Sequence, residues 1–140
     1  MAYMNQETKA NIVAAVKPVL KKYGIKASFG VRHHSNIVVT IKSGPIDFIG
    51  NFIDNLRASP ARDKEARIEW VTKDQCLDVN QYWLDNQFTG KALECLEEVF
   101  KAIKTGGNWF DKSDIQTDYF NTAFYIDVQV GKWDQPYIVA

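Results

Sequence analysis

The apolar residues of this chain change rhythm along its length, and that change restricts the folds open to it. Ile12, Val16, Val19, Leu20 and Tyr23 recur at helical spacing, as do Ala92, Leu96, Val99, Phe100 and Ile103. Between these stretches Ala27, Phe29 and Val31 alternate with Ser28, Gly30 and Arg32, and Ile37, Val39 and Ile41 alternate with Val38, Thr40 and Lys42. Period-two alternation rich in β-branched residues marks strands. A chain that mixes both rhythms must bury helices against a sheet.

The punctuation refines the pattern. Asn5 or Thr8 can cap a helix over 5–23, and Gly24 can close it in the left-handed conformation. Pro18 removes a backbone donor and predicts a kink near Ala14. His34-Ser35-Asn36 joins two strands as a hairpin. Phe48, Ile49, Phe52, Ile53 and Leu56 predict a helix over 46–57. The polar run 58–66 reads as a surface loop. Ile68 and Trp70, then Leu77 and Val79, predict one or two strands. A helix follows from Gly90 to Lys104, with Glu97 and Lys101 as an i,i+4 pair. A last strand over 122–130 turns Phe124, Ile126, Val128 and Val130 one way and Tyr125, Asp127 and Gln129 the other. The expected fold is α+β in the order α-β-β-α-β-α-β: a mostly antiparallel sheet of about four strands with helices packed on one face. With 140 residues, 46% of them hydrophobic, one domain over 1–140 has enough apolar material for its own core.

Charge narrows the function. Seventeen basic and seventeen acidic residues cancel, which disfavours a protein that coats DNA by net charge alone. The halves differ, however: 12 Lys/Arg against 6 Asp/Glu in residues 1–73, and 5 against 11 in 74–140. The basic half offers Lys21, Lys22, Lys26, Arg32 and Lys42 to a nucleic acid. The acidic half carries Asp111, Asp114 and Asp118 after Trp109, with Trp133 further on. These carboxylates lack the spacing and glycine of a calcium loop, and turn and cap roles explain them more cheaply. Aromatic residues interleaved with acids suit a protein interface better than base stacking, and core packing accounts for the same rings without any partner.

Arg32, His33 and His34 form a cluster with acid–base potential, and an ordinary exposed turn explains it more simply. Neighbouring strand residues face opposite ways, so two adjacent histidines are a poor grip for one metal ion. Cys76 and Cys95 lack zinc or redox spacing and read as buried thiols, with a disulfide left open. No phosphate loop, dinucleotide fingerprint, nucleophile elbow or zinc-protease motif occurs. The expectation is a binding protein without cofactor or metal. No apolar run reaches bilayer length and no secretory signal opens the chain, so the expected setting is cytoplasmic.

Several motifs together resemble a known family. They are Tyr82-Trp83-Leu84, then Phe88, Gly90, Ala92 and Leu96, then Asp111 and Ser113-Asp114-Ile115-Gln116-Thr117-Asp118-Tyr119-Phe120, then Tyr125, Gly131, Trp133 and Pro136-Tyr137. Earlier, Ser28, Val31-Arg32-His33-His34 and Asp47-Phe48-Ile49 continue the likeness. The sequence resembles the large polyvalent protein-associated domain family, type 29, over nearly its whole length. That resemblance implies a setting in phages and conjugative plasmids, where such domains support establishment of incoming DNA or evasion of host defence. It brings no catalytic residues. The expectation is a diffusible protein that binds a host protein, such as a CRISPR effector or another defence nuclease, through Trp109, Asp111, Asp114, Asp118 and Trp133. DNA binding through the basic half is the alternative, and an enzyme built on Arg32, His33 and His34 is a third.

Overall fold

A computed structural model describes residues 4–60, 62–82, 84–109, 124–132 and 135–140. In chain order the elements are α1 (Gln6–Tyr23), β1 (Lys26–Arg32), β2 (Asn36–Gly44), α2 (Phe48–Ala58), α3 (Lys64–Asp74), β3 (Leu77–Val79), α4 (Leu84–Gln87), α5 (Gly90–Gly106), β4 (Tyr125–Val130) and β5 (Ile138–Val139). The fold is α+β, as the two apolar rhythms require.

The sheet runs β1-β2-β4-β3, with β5 joining β2 beyond the end of β4. It is mixed rather than mostly antiparallel. β1 with β2 and β3 with β4 are antiparallel, but β2 lies parallel to both β4 and β5. Alternation reports which face a residue takes and says nothing of strand direction. Here the chain leaves β2, builds α2 to α5, and returns in the same sense beside it, which a long helical crossover allows.

One face of the sheet is apolar. Ile37, Val39, Ile41, Val128 and Val130 are buried there and share a core with Ile12, Val16, Phe48, Leu96, Val99 and Ile103 from the helices. The opposite face carries Ser28, Gly30 and Arg32 from β1, Asn36, Val38 and Thr40 from β2, and Tyr125, Asp127 and Gln129 from β4. Thr40 is the single buried polar residue among those described, and the Gln129 amide donates to its hydroxyl at 2.8 Å. A buried hydroxyl without such a partner would cost about 1–3 kcal/mol.

α1 follows its sequence signals. The Asn5 side chain accepts from the Thr8 N–H at 2.7 Å, and Gly24 closes the helix at φ +69°. Pro18 does not divide it. Both Pro18 and Ala14, whose carbonyl loses its donor, lie on the exposed side, where water can serve instead. α1 packs on α5 through a polar clamp. The Tyr23 hydroxyl donates to Glu94 at 2.8 Å and to Glu98, and the Lys22 ammonium pairs with Glu98 at 2.9 Å. Glu98 therefore reaches across to α1, and the expected Glu97–Lys101 pair is not among the ion pairs of the described residues.

Residues 58–66 and the strand expected at Ile68–Trp70 differ from the structure most. α3 begins at Lys64, with Ile68 and Val71 inward and Trp70 68% exposed. Two buried residues in eleven leave a faint helical signal, and the spacing of Ile68 and Trp70 imitates a strand. No glycine announces the helix end; Gln75 takes the left-handed conformation instead, at φ +51°. The hairpin after β1 uses the same device twice, with His33 at φ +55° and His34 at φ +58°, matching the twist of the strands it joins.

Tyr137 and Gly131 fasten these parts together. Tyr137 is 5% exposed; its hydroxyl donates to the Ile46 carbonyl at 2.6 Å and its N–H to the Gln75 carbonyl at 2.9 Å. Gly131 makes the bend possible. At φ +72°, a Cβ there would meet the Tyr137 nitrogen at 2.8 Å and the Gln75 oxygen at 2.9 Å, both backbone atoms that cannot move aside cheaply.

Gly131→Ala should lower stability by roughly 2 kcal/mol or more in urea unfolding, since a left-handed residue with a Cβ costs about 1–2 kcal/mol before any clash. Hydrogen bonds from Tyr23 and Lys22 hold the Glu98 carboxyl below its usual 4.5. Its contribution to stability is complete above that value and is lost as the pH falls through the lowered one. Acid unfolding of Glu98→Gln should therefore show a weaker pH dependence in this range than the natural chain.

Candidate functional site

The described residues enclose a cavity of about 440 Å³ where α2, α3 and α4 meet the β3–β4 edge. Phe52 from α2 and Val71 from α3 form its apolar wall with Leu77. Trp70, largely exposed, and Gln87 from α4 also line it. Asp74, Cys76 and Asp78 lie along one side, and Arg67 and Lys132 complete the polar lining.

Local structure places each group. Helical spacing sets Arg67, Trp70, Val71 and Asp74 along the side of α3 that borders the cavity. Asp74 is the last residue of α3, where the helix dipole presents its negative end and a carboxylate is unfavourable. The turn at Gln75 then carries the chain through Cys76 into β3, so Asp78 follows Asp74 by four residues. Gly131 and Lys132 come from the loop that Tyr137 secures against Gln75.

The electrostatics are uneven. The Arg67 guanidinium sits 6.0 Å from the centroid of the Phe52 ring. The carboxylates lie around Cys76, whose thiol is pushed above its ordinary value by burial and then by Asp74 and Asp78. The Gln87 amide oxygen is buried without a hydrogen-bond partner. The arrangement offers an aromatic surface, acceptors and an apolar wall, which is the equipment of a binding site. No group of three or more His, Cys, Asp or Glu able to hold a metal ion occurs among the described residues.

The residues singled out from sequence scatter. Asp111, Asp114, Asp118 and Trp133 lie outside the described residues, as do Trp83 and Tyr119. Trp109 is half-buried at the end of α5, where its indole N–H donates to the Phe124 carbonyl at 2.9 Å and Lys104 lies 4.6 Å from its ring centroid. Its contacts are thus with its own chain. Lys26 pairs with Ser43 across the β1–β2 ladder, which puts Lys26 and Lys42 at the sheet end where α1 finishes with Lys21 and Lys22. Arg32 sits at the other end of β1, 3.8 Å from Asp127. His33 and His34 are exposed at the hairpin tip, and neither lines the cavity. Arg32, His33 and His34 are neighbours on a protruding turn.

Trp70 lies on α3 rather than on a strand, although its spacing from Ile68 fits a strand. The signal that could have found it was the left-over fit of Ile68 and Val71 to a helix, which turns Trp70 outward. Compared with known protein families, curated proteins and solved structures, the chain matches none of them. No helix among the described residues is long and apolar enough to cross a membrane.

Cys76 and Cys95 are free thiols. Cys95 is fully buried, and desolvation, with Glu98 and Glu94 adding to it, pushes it to about 12. A thiolate is the reacting species, so native-state alkylation near pH 8 should label Cys76 well before Cys95. Equal labelling of both would contradict the packing of α5. Asp74→Asn should raise stability by about 0.3–1 kcal/mol in thermal unfolding, by relieving the clash with the helix dipole.

Proposed function

We propose that this chain is a non-enzymatic binding protein of a mobile genetic element that counters a host defence system by occupying a host protein. The observation that carries the binding reading is Trp70: 68% exposed, on a regular helix, at a cavity whose lining includes Gln87 with its unpartnered amide oxygen. An aromatic ring left in water forgoes on the order of 2 kcal/mol of burial. Exposed rings beside a concave surface are the residues that dominate protein interfaces. The resemblance to the large polyvalent protein-associated domains supports the mobile-element setting and, through it, a defence nuclease such as a CRISPR effector as the partner class.

The basic corner formed by Lys21, Lys22, Lys26 and Lys42 favours a second reading, DNA binding in support of establishment. Lys22 is already engaged by Glu98, which weakens that corner. An affinity capture from host lysate, with and without nuclease treatment, separates the two. Capture of a protein should survive nuclease and fall at least tenfold in Trp70→Ala, whose stability should stay within about 0.5 kcal/mol of the natural chain, as for other exposed positions. Nuclease-sensitive capture with undiminished binding by Trp70→Ala would favour the DNA reading instead.

A further inference from the structure

We propose that the cavity beneath Trp70 receives the guanidinium group of an arginine side chain presented by the partner protein. This rests on the reading of the α3 rim as a protein contact surface and names what enters it. Three features favour that occupant. The negative end of α3, worth about half an elementary charge, converges with the Asp74 and Asp78 carboxylates at one side of the space. Second, Gln87 holds a buried amide oxygen without a donor, so a rotation of its amide toward an arriving N–H relieves an existing cost. Third, Phe52, Val71 and Leu77 supply an apolar wall for a methylene stem, and Trp70 a face on which a planar cation stacks.

The chain already shows the match in part. Arg67 lays its own guanidinium over Phe52, one of the rings that line this cavity. Arg67 and Lys132 balance the two carboxylates in formal charge, so the negative bias of the site rests on the C-terminal end of α3. Arginine is preferred to lysine because its planar fork can bond two acceptors while it stacks on a ring. A surface that takes arginine also fits a partner whose own ligand is a nucleic acid, because grooves for phosphate are lined with such side chains.

The test titrates a capped hexa-arginine peptide into the full chain, with hexa-lysine and hexa-glutamate peptides in parallel. Calorimetry and the Trp70 indole N–H resonance are the readouts. The arginine peptide should shift that resonance and bind at least tenfold more tightly than the lysine peptide. Its affinity should fall at least tenfold in the Asp74→Asn/Asp78→Asn variant, with circular dichroism confirming the fold. Trp70→Ala, an exposed substitution, provides the same loss if the double variant is unstable. Equal binding of the arginine and lysine peptides, undiminished binding by both variants, or a Trp70 shift caused by the glutamate peptide would overturn the proposal. If Trp70→Ala abolishes host-protein capture while the arginine peptide fails to bind, the guanidinium site falls and the contact surface stands. If the peptide binds as described and capture ignores Trp70→Ala, the contact-surface reading falls instead.

Discussion

β2 is the element on which the rest of the structure depends. It is hydrogen-bonded along both edges, to β1 on one side and to β4 and then β5 on the other. Its inward residues Ile37, Val39 and Ile41 are fully buried, so every helix that meets the apolar face meets this strand or its neighbours. Because β4 must lie parallel to β2, the chain between them has to cross from one end of the sheet to the other. That crossover contains α3, β3 and α4, the elements that enclose the cavity. The site is therefore a by-product of a strand-pairing requirement, built where a crossover passes the sheet edge.

The two ends of the crossover are held differently. At α5 the hold is dense: apolar packing against α1, supplemented by the Tyr23 hydroxyl shared between Glu94 and Glu98. At α3 it is sparse, with Ile68 and Val71 alone buried on the helix. What secures the cavity side is the loop after β4, through the Tyr137 bonds to Gln75 and Ile46. A helix with few inward residues has a large outward surface, and α3 uses part of it for Trp70. Sparse packing is a cost in stability, and regions of that kind are where proteins tend to carry binding surfaces.

Much of the fold was legible in the sequence. The period switches located α1, β1, β2, α2, α5 and β4, because each sets its apolar residues at the period of its own element. Strand direction was not legible, since the rule for a side chain's face is the same in parallel and antiparallel pairs. α3 was hidden because Ile68 and Trp70 fit a strand as well as Ile68 and Val71 fit a helix. The cavity shared that fate: Asp74, Cys76 and Asp78 are close in sequence, but nothing local says that Phe52, Gln87 and Gly131 meet them. Aromatic content pointed to the C-terminal third, whereas Trp109 is turned onto its own chain and the exposed tryptophan among the described residues lies on α3.

The central claim is that this chain works by contact through the α3 rim. Amide hydrogen exchange of the full chain, alone and with its captured host protein, tests it most directly. Slowed exchange concentrated in residues 67–78 and around Gln87 is the expected pattern. Slowing confined to residues 21–42, with α3 unchanged, would contradict it.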